Sequence, residues 1–294
     1  ESGARDTNDL FATVSGVYSG STVGAFPTVS PIVRGLQDSG RVIISLDGAR
    51  QNAQDAGRYG GSGTASGGFS GSNSVAFVDT AFIREIDITK KTNASANNAG
   101  SLSGAVDFRL VGADDIIQPG EIWGAELSVG HGTNAYHFNG SAIGAVRLGE
   151  NISLTLGTSK QEIGLYEPGA YGIVDERVFR FQETDRESLS TLAKLEAEVG
   201  DFEASLAWFR QTIKFARLSR SETPGTDFDA ISDTAILDVD WNPASSLVDL
   251  SGKLWFQSTV MEEYREARSS TPETKIDRDF TSFGVILQNT SDLT

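Results

Sequence analysis

The sequence predicts a mainly β protein in two parts, a small mixed α/β domain over residues 1–118 and a strand-rich domain over residues 119–294. Three observations predict this. Glycine is abundant, with 32 residues, while proline is scarce, with 7, which favours turn-rich β structure over helices. Apolar and polar residues alternate along the second domain. The connections between its alternating segments are short and long in turn.

The first domain contains short apolar runs, which we predict to be strands, separated by loops rich in glycine, serine and asparagine. The runs are Val42–Leu46, Ile83–Ile88 and Ala105–Leu110, and we also place Arg34 in a strand. The longest loop, Gly60–Ser74, has too few apolar residues to order itself by burial, so we expect it to be mobile.

The second domain reads as about eight strands with one apolar and one polar face. The first carries Trp123, Leu127 and Val129 opposite Glu126 and Ser128, and the last ends with Phe283, Val285 and Leu287. Short connections at 149–151, 200–201 and 242–244 alternate with long polar ones near 167–187, 217–231 and 266–279. This alternation predicts an up-and-down antiparallel barrel of the outer-membrane kind. A soluble β-sandwich is the alternative, because its strands alternate too.

Composition excludes several function classes. A net charge of −16 and a pI near 4.5 argue against nucleic-acid binding, which needs a basic surface. With no cysteine there is neither a disulfide framework nor a thiolate metal site. No apolar run is long enough for a transmembrane helix. The start, Glu1-Ser2-Gly3, does not resemble a signal peptide, so we expect a trimmed or internal beginning.

Catalytic and metal-binding motifs are missing from the sequence. It contains neither HExxH nor GxSxG, and its glycines at 57–68 lack the strand and helix context of a phosphate loop. The two histidines are His131 and His137. His137 falls on the polar face of the second predicted strand, whereas His131 is expected to face lipid or the first loop. The sequence therefore predicts no enzyme, no catalytic residue and no metal site.

Three segments of the first domain resemble the plug of TonB-dependent outer-membrane receptors. Ile32–Leu36 (IVRGL) leads into Arg41–Gln51 (RVIISLDGARQ), followed by Val78–Ile88 and then by Ala99–Phe108. Their order and spacing match the family pattern, and the barrel-like region follows where the family has its barrel. One departure is Lys90-Lys91-Thr92, where the family usually has Arg-Gly-Pro.

The resemblance implies an active transport receptor of the bacterial outer membrane, embedded in lipid and energised by the TonB complex. It also implies plug–barrel charge contacts for Arg34, Lys90 and Arg109, and a ligand-binding apex at Gly60–Ser74. Since such receptors have about 22 barrel strands, we expect the chain to be a fragment that lacks the energy-coupling segment. From another class, an adhesive or structural β-protein of the cell surface is the alternative.

Within that family the chain most resembles the haem-uptake branch, which includes haemophore and haemoglobin receptors. The similarity lies in Gly16–Gly20, in Asp47–Asn52, in Asp107–Arg109 running into Ala113–Gly120, and in Gly284–Thr290. It implies haem, free or on a carrier protein, as transported ligand, with no intrinsic cofactor. Ferric siderophore is the alternative, followed by cobalamin and carbohydrate.

The resemblance also suggests ligand-binding residues. Haemophore receptors place an iron-binding histidine shortly after the segment that corresponds to Asp47–Asn52, and this chain has none there. Tyr59 is the iron-competent substitute, with Arg58 beside it to favour the phenolate and pair with a propionate. Tyr59 is otherwise an ordinary loop aromatic. His137 is the third candidate.

Overall fold

The computed structural model describes residues 9–19, 29, 31–36, 41–51, 53–55, 73–91, 101, 103–133, 136–164, 185–219, 222–267 and 272–291. These residues divide into two compact units, one ending at Leu110 and one beginning at Val111. The predicted domain limit after residue 118 stays a prediction. Among the described residues, no helix is long and apolar enough to cross a membrane.

The described part of the first unit is built from eight short strands and two 3-10 turns, at Asp9–Phe11 and Thr80–Phe82. The strands are β1 Val17–Ser19, β2 Pro31–Val33, β3 Val42–Leu46, β4 Ala49–Arg50, β5 Ala53–Asp55, β6 Asn73–Val75, β7 Ile83–Thr89 and β8 Gly104–Leu110. The main sheet has the order β4-β3-β8-β7, in which only β3 and β8 are parallel. The predicted strands over Val42–Leu46, Ile83–Ile88 and Ala105–Leu110 are confirmed.

The core of this unit lies around β3 and β8. All five residues of β3 are buried, and β8 buries Val106, Phe108 and Leu110 completely. Phe11 packs against Phe108, with their ring centroids 6.3 Å apart. A parallel central pair is covered on both faces, which explains why these strands read as nearly continuous apolar runs.

The prediction that Arg34 lies in a strand is wrong. Arg34 and Gly35 have φ values of 54° and 79°. Val33 and Leu36, on either side of them, exchange two backbone hydrogen bonds of 2.9 and 3.0 Å. This is a tight turn of the type I′ form, which requires positive φ at both central residues. Because glycine adopts that conformation freely, the chain reverses after Val33 instead of continuing the strand.

The second unit begins with a one-turn helix, α1 (Ala113–Ile116), and continues as eight antiparallel strands in sequential order. These are β9 Trp123–Gly130, β10 Tyr136–Arg147, β11 Ile152–Ile163, β12 Arg186–Val199, β13 Phe202–Ser219, β14 Glu222–Trp241, β15 Leu250–Arg265 and β16 Thr274–Asn289. The prediction of about eight strands in up-and-down order is confirmed.

One predicted long connection, 217–231, is wrong. There β13 continues to Ser219 and β14 starts at Glu222, with regular pairing up to Arg217 and Thr226. Cross-strand contacts favour the longer hairpin, because Phe215 and Phe228 stack with centroids 4.7 Å apart. The last long connection is shorter than predicted, since β16 already begins at Thr274.

The two faces of the large sheet differ in burial. One face buries polar side chains, namely Ser153, Thr155, Ser188, Ser190, Gln211, Ser232, Thr234, Gln257 and Thr259, together with apolar ones such as Leu192, Phe209, Ile213, Ile236 and Met261. We call this the polar face. The other, the apolar face, carries a register-aligned row of Leu154, Leu195, Leu206, Leu237, Leu254 and Val285. Leu206 is 51% exposed and Val285 63%. Soluble proteins do not leave continuous apolar patches of this kind uncovered.

Candidate functional site

The Asp-Gly pair of the first unit forms the turn between β3 and β4. Asp47 and Gly48 have φ values of 45° and 73°, as a type I′ turn requires. The Asp47 carboxylate accepts a hydrogen bond from the backbone N–H of Leu110 at 2.8 Å, and the Asp47 N–H donates to the Phe108 carbonyl at 2.8 Å. The turn is thereby fixed to the last residues of β8.

A second carboxylate, that of Asp107 on β8, also binds the residues of this turn. Its Oδ1 accepts from the Gly48 N–H at 2.9 Å and from the Ser45 hydroxyl. Gln51 closes the motif, because its N–H donates to the Ile44 carbonyl at 2.8 Å and its side-chain amide to the Ala49 carbonyl at 3.1 Å. Among the described residues, the plug-like motif therefore has a structural role, because its hydrogen bonds hold the turn between β3 and β4 in place.

Arg34 and Lys90 lie next to each other in the first unit. The Arg34 guanidinium donates to the Lys90 carbonyl at 3.1 Å, and the Lys90 ammonium donates to the Ser15 carbonyl at 2.5 Å. These contacts join the β1–β2 region to the end of β7. Lys90 is the first residue of the Lys90-Lys91-Thr92 segment, where the family pattern has Arg-Gly-Pro. Its contacts connect this segment to the backbone at Ser15. Its contact with the barrel, and that of Arg34, stay predictions.

Arg109 pairs across strands with Glu85 of β7, with 3.2 Å between Arg109 Nε and Glu85 Oε2. Both side chains are largely exposed, so the pair contributes little stability. The predicted plug–barrel role of Arg109 stays a prediction.

The two histidines meet at the hairpin between β9 and β10. A ring nitrogen of His131, Nδ1, contacts the backbone carbonyl of His137, and both side chains are exposed. His137 lies where the register between β10 and β11 shifts, and its ring lies over Gly164, where a Cβ would be 2.3 Å from His137 Cε1. The carbonyl contact requires a proton on His131 Nδ1, which leaves the lone pair on Nε2. The sequence ranked His137 above His131, and only the structure shows this constraint.

Tyr59 and Arg58 lie outside the described residues, as does most of Gly60–Ser74. Their predicted roles stay predictions. Among the residues that the structure describes, no group of three or more histidine, aspartate or glutamate side chains is arranged to hold a metal ion.

The polar face carries three partly buried ion pairs. Lys194 pairs with Glu196 at 3.3 Å, Lys253 with Asp238 at 2.6 Å, and Arg278 with Glu263 at 2.7 Å. Pairs on the apolar face, such as Arg210 with Asp233 at 2.8 Å, are more exposed. Arg210 and Asp233 face each other two residues along their strands from Trp208 and Ala235.

Sequence reasoning missed Glu196 and Gly112. The Glu196 carboxylate accepts the Ala113 N–H at 2.8 Å, which ties the start of α1 to β12. The only available signal was a glutamate on the polar side of a strand, which many strands carry. The partner is a backbone amide some eighty residues away, and no side-chain pattern marks it.

Comparison with known protein families identifies the domain family of the first unit. Residues 1–105 match the TonB-dependent receptor plug domain. The chain is 30% identical over 163 residues to the hemophilin receptor of Acinetobacter baumannii, covering 55% of this chain and 14% of that protein. It is 27% identical over 136 residues to the heme transporter BhuA of Brucella ovis, covering 46% of this chain and 18% of that protein.

A solved structure matches both units. It is a double mutant of the Serratia marcescens hemophore receptor HasR in complex with its hemophore HasA and heme. The TM-score is 0.80 at 26% identity, covering 99% of this chain and 40% of that chain. The relatives are receptors and transporters, which agrees with the sequence-based exclusion of an enzyme. The chain thus spans only a small part of its relatives. Residues 1–105 therefore carry a TonB-dependent receptor plug domain, and the eight antiparallel strands that follow it are similar to the corresponding part of the HasR structure.

Proposed function

We propose that the receptor to which this chain belongs takes up haem iron across the outer membrane, energised by the TonB complex. The observation that supports transport is the exposed apolar face of the large sheet, which follows a plug domain in the chain. An apolar exposed face suits outer-membrane lipid, and a polar face suits the lumen of a barrel.

Haem as the transported ligand is supported by the named relatives. BhuA is a heme transporter, and the HasR structure holds a hemophore and heme. The sequence adds the motifs around Asp47–Asn52 and Asp107–Arg109. Under this proposal haem is cargo, delivered free or on a carrier protein, and is not a resident cofactor.

The candidate ligand-binding residues are Tyr59, Arg58 and His137, to which the structure adds His131. Tyr59 is the phenolate candidate, with Arg58 beside it to favour the anion. His131 presents Nε2 as a lone-pair donor once Nδ1 bonds to the carbonyl of His137. A histidine held in this way through its other nitrogen has the usual arrangement of a metal-ligating imidazole.

The experiment is a titration of the full-length receptor with ferric haem, followed by absorbance. We expect Tyr59→Phe to weaken haem binding and change the ferric spectrum, since the ring stays and the phenolate is lost. Tyr18→Phe is the matched control, because Tyr18 is an exposed tyrosine of β1. An unchanged spectrum and affinity in Tyr59→Phe would remove Tyr59 from the site.

The histidines are compared in the same titration. His131→Ala and His137→Ala remove one imidazole each, so a change in only one variant identifies the ligand. If neither changes the spectrum, both histidines are structural residues of the hairpin.

A ferric siderophore is the second candidate substrate. The specific observation in its favour is that no histidine follows Asn52 in the segment up to Gly60. If the wild-type receptor binds no haem, quenching of tryptophan fluorescence by ferric siderophores becomes the deciding assay.

A further inference from the structure

The two units meet along the chain in a joint of three residues, Leu110, Val111 and Gly112, and a carboxylate fixes the backbone on each side of it. The Leu110 N–H donates to Asp47 within the first unit, and the Ala113 N–H donates to Glu196 within the second, each at 2.8 Å. The Gly112 N–H donates to Asp115 at 2.8 Å. Neutral amides bound to carboxylates form the stronger class of hydrogen bond.

On the Glu196 side of the joint, the carboxylate belongs to a strand that is well paired on both edges. Glu196 lies on β12, which pairs with β11 and β13 along nearly its whole length. Its carboxylate also pairs with the buried Lys194 at 3.3 Å. Moving Glu196 would therefore disturb a central strand and leave a buried cation without this partner, which is costly.

On the Asp47 side of the joint, the carboxylate belongs to an element held by fewer backbone hydrogen bonds. Asp47 belongs to a turn that leads into β4, a strand of only two residues paired with the end of β3. Fewer backbone hydrogen bonds must break to release it. When the first unit rearranges, the Asp47 contact is expected to open before the Glu196 contact.

Two glycines allow the connecting segment to lie this close to the sheet. A Cβ on Gly112 would lie 2.7 Å from Glu196 Oε1, and a Cβ on Gly124 of β9 would lie 2.4 Å from the Ile116 carbonyl oxygen. Gly112 has an ordinary extended backbone, with φ −116° and ψ 179°. Its role is therefore the close approach and not an unusual dihedral angle.

Apolar packing completes the contact. Ala113 and Ile117 are 1% and 4% exposed and form a small core with Ala145 of β10, against which Ile116 packs. Asp114 also pairs with Arg147 at 2.7 Å, but both side chains are exposed, so this pair adds little.

We propose that Glu196 is a positioning residue that anchors the segment Gly112–Ile117 to the barrel sheet, so that plug movement ends at the joint. The anchor gives an energised plug a fixed end. This rests on the proposed TonB-energised transport, which requires the plug to move.

The test is single-molecule pulling on the full-length receptor in a bilayer from its N-terminus. In wild type, release of the chain should end at the joint. In Glu196→Ala and Gly124→Ala, the force at which release ends at the joint in wild type should also release residues 111–122. This adds on the order of 40 Å of extended chain. Glu196→Gln, whose amide oxygen can still accept the Ala113 N–H, should restore most of the anchor.

The matched control is Gly130→Ala on the same strand as Gly124, where a Cβ meets nothing closer than 3.6 Å. It should behave as wild type. Amide exchange without force gives an independent readout: Ala113 should exchange roughly tenfold faster in Glu196→Ala, as expected for loss of one such hydrogen bond.

Two results would overturn the anchor. The first is release of residues 111–122 in wild type at the same force as in Glu196→Ala. The second is unchanged release and exchange in both Glu196→Ala and Gly124→Ala. Neither readout involves a substrate. A receptor that takes up no haem would therefore reject the proposed substrate and leave the outcome for the anchor readable.

Discussion

At the residue scale, carboxylates that accept backbone N–H groups organise this chain. Asp47, Asp107 and Glu196 each do so, and in each case the partner is distant in sequence. A buried donor left without its acceptor costs more than the average hydrogen bond contributes. Substitution of these three carboxylate residues should therefore act on stability and local order.

Asp107→Ala tests this at the β3–β4 turn. The change removes the acceptor for Gly48 and Ser45, so we expect the turn to lose about 1–3 kcal/mol of stability. The measurement is amide exchange at Gly48 in the full-length receptor.

Asp87→Ala is the matched control, because Asp87 lies directly opposite Asp107 on β7 and is exposed. Removing this like charge should leave stability unchanged or slightly higher. Equal exchange rates in the two variants would reject the role given to Asp107.

At the element scale, the register of the large sheet aligns side chains of one kind into rows. The leucine row is followed, two rows toward the end of the sheet at which β13 leads into β14, by a polar row, Thr158, Thr191, Arg210, Asp233, Ser258 and Thr281. Between the two lies a row that includes Trp208, with the Arg210 guanidinium 5.7 Å from its ring centroid. An aromatic beside a charge is typical of a bilayer boundary.

Arginine substitutions on β11 locate that boundary. Leu154→Arg places a charge in the leucine row and should destabilise the full-length receptor by roughly 2–4 kcal/mol in a lipid bilayer. Thr158→Arg, four residues along the same strand in the polar row, should cost no more than about 1 kcal/mol. Urea unfolding in vesicles measures both. Equal losses would show that the leucine row does not face lipid.

At the scale of the whole molecule, the exposed apolar face separates the membrane receptor from an adhesive or structural surface protein. A barrel in a bilayer has lipid on that face, whereas an adhesive module would need it covered by protein.

The full-length protein should therefore require detergent for solubility and migrate differently on gels with and without heating. Heat-modifiable migration together with detergent dependence is expected of a membrane barrel. A protein that stays soluble without detergent and migrates identically in both conditions would favour the adhesive alternative.

The sequence by itself determined most of the strand pattern and the resemblance of the first unit to the plug domain, because alternation and the spacing of motifs such as Asp47-Gly48 are local properties of the chain. It failed where the outcome depended on distant partners or on backbone conformation. Arg34 became a turn residue because Gly35 accepts positive φ. The hairpin around Ser219 extended because Phe215 and Phe228 stack across it. Glu196 became an anchor only because folding brings the Ala113 N–H to its carboxylate, and a hydrogen bond between remote segments leaves no periodic trace in a sequence.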